Sequence, residues 1–225
     1  MRRSRTNTIG RKEHRGNMKA FIYLGGGIYE GGYIDSPQQD DLIIAADSGY
    51  KNALRLGVQP QIVVGDFDSF AEELPNTVEK MQVPSEKDFT DSQLAVDIAR
   101  KKSVHEMVLI GGLDGRIDHA LSNLAILENL WNEKIRAVIT DGRNRARYIK
   151  DTSELVLNLG YRYLSVIAAD KTVKGVSIDG CKYPLKNAKL QRDYQFAVSN
   201  EIEKNCALIS VRRGGVFIIE SRDGR

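Results

Sequence analysis

Several residue types that would mark particular protein classes are scarce in this chain of 225 residues. It has two cysteines, Cys181 and Cys206, and their spacing matches no zinc pattern such as Cys-x-x-Cys. We therefore expect reduced, partly buried thiols, as in a cytoplasmic protein. No apolar run approaches the roughly 20 residues that a membrane helix needs, and five prolines argue against long disordered linkers. The composition is that of a globular protein without a membrane partner.

Basic charge is scarce outside the first residues, although the chain as a whole carries a formal net charge of +3. Residues 1–17 hold six basic side chains and one acidic side chain, so by subtraction the remaining residues carry −2. A nucleic-acid surface needs basic residues clustered on a folded element, so we expect no nucleic-acid partner. The tail is predicted to be a disordered extension, or to precede a natural start at Met18; a transit peptide would need an apolar face, which it lacks.

Short apolar runs alternate with amphipathic stretches in the first half of the chain. The runs are rich in Ile and Val on both faces, as in buried parallel strands. Strands are predicted at Ala20–Leu24, Leu42–Ala45, Ile62–Val64, Met107–Ile110 and Arg136–Thr140. Helices are predicted at Gly49–Leu56, Asp91–Lys102 and Ile117–Trp131. The alternation indicates an α/β fold with a parallel, Rossmann-like sheet and helices on both faces.

The pattern changes after Thr140, where no helix of useful length is predicted. Short strands are predicted at Ala146–Lys150, Leu155–Leu159, Tyr163–Ala169, Val173–Ile178, Ala207–Val211 and Val216–Glu220. Turn signals between them include Asp179-Gly180, Lys186-Asn187 and Gly214-Gly215. This half is predicted to be a smaller all-β sandwich domain at 142–225, after an α/β domain at 18–141.

A glycine-rich stretch, Gly25–Gly32, follows the first predicted strand. It fits neither Gly-x-Gly-x-x-Gly nor the Walker loop, because Glu30 and Tyr33 occupy required positions. The stretch is therefore either a flexible turn or a source of backbone amides near a nucleotide, in which case Gly26 is a nucleotide contact. The second interpretation follows from the preference of ligands for the carboxyl ends of strands in such sheets.

Acidic residues follow the second and third predicted strands. Asp47 ends the second strand, and Asp66 and Asp68 end the third. Two carboxylates at i and i+2 of an extended chain project to the same side, where they repel each other unless a cation lies between them. Mg²⁺ takes one or two carboxylates and completes its shell with water and phosphate oxygens. We therefore predict a magnesium site here, rather than a polar turn.

Two further clusters open predicted helices. Lys87, Asp88, Thr90 and Asp91 precede or begin one helix. Capping requires only one such residue, a lysine can bind phosphate, and Asp91 adds a third carboxylate. Arg116 and Asp118 begin the next helix, where Arg116 can bind phosphate oxygens through parallel donors and Asp118 can cap the helix or accept a proton from a hydroxyl.

These clusters together resemble the thiamine pyrophosphokinase family in order and spacing. The resemblance is carried by Asp47-Ser-Gly49, Pro60–Ser69, Lys87–Asp91 and Gly115–His119. In the second half, Val198-Ser-Asn-Glu201 is similar to the Ser-Asn-Glu signature of the family. The resemblance covers the chain from about Lys19 to Asp223 and leaves the basic tail outside.

The resemblance implies a homodimeric enzyme that transfers pyrophosphate from Mg-ATP to the hydroxyl of thiamine, with thiamine bound near the subunit interface. It implies that Asp66, Asp68 and Asp91 bind Mg²⁺, and that Ser199 and Asn200 border thiamine. It also implies an ATP site comprising Asp47, Lys87, Asp88, Thr90 and Arg116.

Two points stay open at this stage. Asp118 is our first choice for the group that contacts thiamine and orients or deprotonates its hydroxyl, and Asp91 is the alternative. A pterin pyrophosphokinase would make the same transfer to a hydroxymethyl group, but Ser199-Asn200 and the β-rich second half argue against it. A non-enzymatic nucleotide-binding regulator would not need three converging carboxylates.

Overall fold

A computed structural model describes residues 18–66, 74–82 and 89–223 of the chain. In these ranges the chain forms thirteen strands and three helices. The strands are β1 Lys19–Tyr23, β2 Leu42–Ala46, β3 Ile62–Gly65, β4 Glu79–Gln82, β5 Glu106–Ile110, β6 Arg136–Thr140, β7 Asn144–Lys150, β8 Ser153–Leu157, β9 Tyr163–Ala168, β10 Thr172–Asp179, β11 Leu185–Gln191, β12 Cys206–Arg213 and β13 Gly215–Ser221. The helices are α1 Gly49–Arg55, α2 Asp91–Lys101 and α3 Ile117–Asn132. None of the helices in these ranges has the length and apolar character to cross a membrane.

Nine of the described strands form one sheet, in the order β4-β3-β2-β1-β5-β6-β7-β13-β9. The first six strands in that order are parallel, and β7, β13 and β9 add to them in antiparallel pairs. The predicted α/β class is confirmed. The sheet is mixed rather than parallel, because the chain turns directly from β6 into β7 without a crossover helix.

Helices cover this sheet from both faces, as the sequence predicted. On one face α2 and α3 contribute Ala99 and Leu130 to a core with Ile22. On the other face α1 contributes Ala53 to a core with Phe21. The central strands are buried on both sides because their residues are apolar at every position. The arrangement brings the loops that follow β1, β2, β3, β5 and β6 to the same edge of the sheet.

Helix α2 begins at a capping box formed by Thr90 and Gln93. The N–H of Gln93 donates to Oγ1 of Thr90 (3.2 Å), and the N–H of Thr90 donates to Oε1 of Gln93 (3.0 Å). This reciprocal capping box satisfies two donors that the first helical turn leaves without partners. Asp91 is the first residue of α2, where a negative charge is favoured by the helix dipole.

The second half of the chain is a sandwich, as predicted. Strands β11, β10, β12 and β8 form a separate antiparallel sheet. Its inner face shares a core with β7, β9 and β13, including Val176, Ile209, Val166 and Ile218. The sandwich therefore uses the antiparallel end of the large sheet as its second layer.

Two details of the sequence prediction need correction. β4, Glu79–Gln82, was missed because three of its four residues are polar and exposed. β11 was missed because Lys186-Asn187 reads as a turn, whereas it lies inside the strand, opposite irregular pairing in β10. Asn187 has a φ of 50°, a left-handed conformation that asparagine tolerates better than most residues. The division of the chain at 141/142 stays a prediction. The ladder between β6 and β7 joins strands on either side of it.

The long connection between β1 and β2 is tied to the second half of the chain. The guanidinium of Arg145, whose side chain is 9% exposed, forms an ion pair with Asp35. The hydroxyl of Tyr161 donates to the carbonyl oxygen of Tyr33 (3.0 Å). Removing one partner from a buried ion pair leaves an uncompensated charge, so this anchor resists rearrangement.

Candidate functional site

The loops after β1, β5 and β6 are joined by backbone hydrogen bonds at the edge where these strands end. The N–H of Gly112 donates to the oxygen of Gly25 (2.8 Å), and the N–H of Gly111 donates to the oxygen of Thr140 (2.8 Å). The order of the sheet reverses between β1 and β5, since β2 to β4 lie on one side and β5 and β6 on the other. Such a switch point leaves a crevice outside the strand ends, which is where ligands bind in open α/β sheets.

Gly26, a predicted ATP contact, lies exposed at this crevice with a φ of 90°. A methyl group at Gly26 would lie 3.3 Å from the carbonyl oxygen of Asp114. The N–H of Gly27 donates to Oδ2 of Asp114 (3.2 Å). The glycine-rich loop therefore faces the loop between β5 and α3. Sequence reasoning missed Asp114 as a member of the site because it stands between turn-forming glycines.

Asp47 and Asp66 lie at the ends of neighbouring strands. The N–H of Asp47 donates to the oxygen of Val64 (2.7 Å), and a methyl group on Gly65 would lie 3.4 Å from Cα of Asp47. Asp66 follows Gly65 directly. In the described part of the chain, the buried Oδ1 of Asp47 has no hydrogen-bond partner. A buried acceptor without a donor, at the end of the strand that pairs with the one preceding Asp66, suits a hard cation such as Mg²⁺.

The remaining members of the predicted metal and phosphate set are only partly described. Asp68, Lys87 and Asp88 lie outside the described residues. Within the three described ranges, no group of three or more His, Cys, Asp or Glu side chains could hold a metal ion. The ligand set of Asp66, Asp68 and Asp91 therefore stays a prediction, as does the phosphate contact of Thr90.

Arg116 and Asp118 lie together at the start of α3 and bind each other. Nη2 of Arg116 donates to Oδ2 of Asp118 (2.5 Å), and Nε donates to Oδ1 (3.1 Å). Oδ1 of Asp118 also accepts from the N–H of His119 (3.0 Å). The side chains of Arg116 and Asp118 are 74% and 60% exposed, so both are open to ligands.

This pairing changes the acidity of both groups. The hydrogen bond from Arg116 lowers the pKa of Asp118 below its ordinary value, with further help from the N–H of His119. The hydrogen bond to Asp118 likewise raises the pKa of Arg116. Asp118 is thus ionised over a wider pH range than a free carboxyl. To bind a phosphate group, Arg116 must give up its hydrogen bonds to the carboxylate of Asp118.

Ser199 and Asn200 lie in the second half, beside β9. Oδ1 of Asn200 accepts from the N–H of Tyr183 (2.9 Å), and Nδ2 donates to the oxygen of Tyr183 (2.7 Å). The N–H of Ser199 donates to Oγ of Ser165 (3.0 Å). The amide of Asn200 is therefore engaged with the backbone of Tyr183, whose ring is 59% exposed. Sequence reasoning missed Tyr183, although an aromatic residue before a proline in a loop was a usable signal.

Comparison with protein families adds independent information. Residues 35–139 match the family model of the thiamin pyrophosphokinase catalytic domain. Residues 152–216 match the model of the thiamin pyrophosphokinase vitamin B1 binding domain. The two models follow each other along the chain: the first runs from before β2 into β6, and the second runs from β8 to the start of β13.

Individual relatives agree with these models. The thiamine pyrophosphokinase of Bacillus subtilis (strain 168) is 29% identical over 198 residues, which cover 85% of this chain and 91% of that protein. The crystal structure of the Bacillus subtilis enzyme superimposes with a TM-score of 0.81 at 26% identity, covering 92% of this chain and 100% of the other. The structure of the thiamin pyrophosphokinase family protein from Enterococcus faecalis has a TM-score of 0.76 at 29% identity, with coverage of 92% and 100%.

Proposed function

This chain belongs to the thiamine pyrophosphokinase family, and from that premise we propose that it transfers the pyrophosphate of Mg-ATP to the hydroxyl of thiamine, giving thiamine diphosphate and AMP. The single observation that carries the proposal is the succession of the catalytic and vitamin B1 binding domain matches at 35–139 and 152–216. The exposed pair of Arg116 and Asp118 at the switch-point crevice supports it, because phosphate transfer requires a cation and a proton acceptor close together.

The proposed reaction requires positioning and charge neutralisation more than covalent catalysis. The oxygen of the thiamine hydroxyl forms a bond to the β-phosphorus of ATP, and the bond from that phosphorus to the bridging oxygen of AMP breaks. The hydroxyl proton passes to Asp118, or to Asp91 as the alternative. Arg116 neutralises the negative charge that develops on the transferred group.

Magnesium belongs to this proposal as a cofactor held by Asp66, Asp68 and Asp91. Oδ1 of Asp47 has no hydrogen-bond partner among the described residues, and β2 pairs with the strand that Asp66 follows, which supports a cation at this edge of the sheet. When bound, the ion would neutralise phosphate charge and orient the phosphate groups. Asp47 belongs to the proposed ATP site.

The proposed function is tested by measuring AMP formation from ATP, with thiamine, a hydroxymethylpterin or no acceptor in parallel reactions. We expect AMP to form with thiamine, together with an equal amount of thiamine diphosphate. AMP formation with the pterin alone would assign the chain to the other pyrophosphokinase reaction. ATP binding without turnover on any acceptor would instead support a regulator.

For the thiamine pocket we propose Tyr183 in addition to Ser199 and Asn200. The two hydrogen bonds between the side chain of Asn200 and the backbone of Tyr183 hold that backbone in place, and Nζ of Lys182 lies 5.6 Å from the ring centroid. An exposed aromatic ring on a backbone held in this way offers a flat surface on which a pyrimidine can stack. On this proposal, Asn200 acts on thiamine through Tyr183.

Tyr183→Ala is expected to raise the KM for thiamine by about tenfold, because the stacking surface is lost. The KM for ATP is expected to stay within about twofold, and Tyr183→Phe to retain near-normal kinetics. Tyr194→Ala is the matched control, since its ring is 71% exposed in the same half of the chain. An unchanged thiamine KM in Tyr183→Ala would exclude the ring from the pocket.

We also propose that the chain is a homodimer through the outer face of the four-stranded sheet. Leu155, Leu157 and Leu208 on that face are 54%, 55% and 43% exposed. Leu155 lies opposite Leu208 in the register of β8 and β12, so the three side chains form one apolar patch at a sheet edge. A contiguous apolar patch on a sheet face is typical of a protein interface.

Two unbridged cysteines and an ATP substrate are in keeping with the cytoplasmic location that we propose.

The double substitution Leu155→Lys and Leu208→Lys is expected to shift the protein from dimer to monomer at micromolar concentration, because it buries like charges at the interface. Sedimentation velocity measures the change directly. Leu54→Lys on α1 is the control, since Leu54 is 41% exposed but lies on another surface. A double variant that stays dimeric would place the interface elsewhere.

A further inference from the structure

Two buried asparagines donate hydrogen bonds to the loops of the crevice, one from each side of the sheet. Nδ2 of Asn52, on α1, donates to the oxygens of Leu24 (2.7 Å) and Gly26 (3.0 Å). Nδ2 of Asn123, on α3, donates to the oxygen of Gly112 (2.9 Å). The two asparagines are 8% and 4% exposed. Buried amides that serve only loop backbone indicate that the position of that backbone matters.

The N–H of Gly112 also donates to the oxygen of Gly25 (2.8 Å). With the asparagine bonds, four carbonyl oxygens of the two loops therefore have donors. Each of the following accepts a hydrogen bond from inside the protein: Leu24, Gly25, Gly26 and Gly112. A carbonyl oxygen carries partial negative charge and would repel a polyphosphate. Interior donors hold this charge in place before the ligand arrives, which is the requirement for electrostatic preorganisation.

The local fit at Gly112 shows how closely the loop and Asn123 are matched. Gly112 has a φ of 73°, and a methyl group there would lie 2.5 Å from Nδ2 of Asn123. Only glycine combines this backbone conformation with room for the amide. The loop therefore follows the position of Asn123 and would shift if that donor were lost.

We infer that Asn52 and Asn123 are positioning residues for the phosphates of ATP, because they hold the carbonyl oxygens of the two glycine loops away from the crevice. The inference rests on the proposed function, which supplies the polyphosphate ligand. Neither asparagine needs to touch ATP, since both act through loop backbone. Each one works from a different face of the sheet, so each can be tested without disturbing the other helix.

Asn52→Asp and Asn123→Asp test the inference because they keep the shape of the side chain and remove its donors. An ionised carboxylate would face carbonyl oxygens, so the loops would rearrange. We expect the Kd for ATP and for inorganic triphosphate, measured by calorimetry, to rise about tenfold or more. The KM for thiamine is expected to change less than twofold. Asn132→Asp is the matched control, since Asn132 is exposed at the far end of α3.

Circular dichroism and thermal melting establish whether each variant is folded. If an aspartate variant does not fold, Asn52→Ser and Asn123→Ser remove the amide donors without adding charge, and about threefold weaker triphosphate binding is expected. Folded variants that bind triphosphate as tightly as the unaltered protein would overturn the inference, and so would an equal rise in the thiamine KM. Failure of the unaltered protein to form AMP from ATP and thiamine contradicts the proposed function instead, so the two failures are distinguishable.

Discussion

Asp66→Asn is expected to lower kcat by about a hundredfold or more, because it removes a carboxylate ligand from the site proposed for magnesium. The amide keeps the size of the side chain, and Asp66 follows the end of β3 rather than filling the core, so the fold should persist. AMP formation at saturating ATP and thiamine measures the loss. Part of the activity is expected to return at high magnesium concentration, since the remaining ligands bind the ion more weakly.

Asp40→Asn provides the control for this change. Asp40 is an exposed acid on the connection between β1 and β2, so its substitution is expected to leave kcat near normal. Near-normal turnover of Asp66→Asn at limiting magnesium would remove Asp66 from the metal site. Asp68→Asn and Asp91→Asn, assayed in the same series, decide whether the predicted ligand set is complete.

Arg116→Ala is expected to lower kcat by about a hundredfold while weakening ATP binding much less. A contact that strengthens mainly in the transition state has this signature. Arg116→Lys should recover only part of the activity, because lysine lacks the planar pair of donors. Calorimetry with a non-hydrolysable ATP analogue measures the ground-state binding against which kcat is compared.

The pair of Arg116 and Asp118 also predicts the direction in which the pH dependence of kcat shifts when Arg116 is removed. A proton-accepting carboxylate is active above its pKa, and Arg116 lowers the pKa of Asp118, so the acidic limb lies at lower pH than for an isolated carboxyl. Removing Arg116 releases Asp118, and the limb of Arg116→Ala is therefore expected to move to higher pH. Asp118→Asn should lower kcat by about a hundredfold and flatten this limb.

A single outcome would reject this role for Asp118. An Asp118→Asn enzyme with near-normal turnover and an unaltered pH profile would leave Asp118 as the carboxylate that bonds Arg116 and the N–H of His119. Asp91, the first residue of α2, would then be the next residue to test as the proton acceptor.

Much of the fold could be predicted because hydrophobic periodicity records burial directly. β6 was predicted with the bounds observed, and α2 and α3 began at the predicted residues. β4 escaped because an exposed strand with mostly polar side chains has no apolar period, and β11 escaped because Lys186-Asn187 reads as a turn. The antiparallel end of the large sheet escaped for a different reason, since pairing between distant strands leaves no local pattern in the sequence.

The candidate site could likewise be predicted only in part. Acids at strand ends and the start of α3 were visible in the sequence because their spacing is local. Asn123 was visible only in principle, as a polar residue on the buried stripe of α3 with Ile126 and Leu130. The ion pair of Arg116 with Asp118 was not visible, and neither were the hydrogen bonds of Asn200 with the backbone of Tyr183. Both depend on side-chain orientation, which residue spacing does not determine.

The position of the last strand has a consequence for the making of the protein. β13 lies between β7 and β9 and pairs with both, so the large sheet stays open until residues 215–221 have left the ribosome. Until then β7 and β9 each present an unpaired edge, which favours association with other chains. A truncation that removes only β13 would therefore leave the edges of β7 and β9 unpaired and prone to association with other chains. A nascent chain that stalls just before β13 is made would need a chaperone more than one that stalls at the midpoint of the chain.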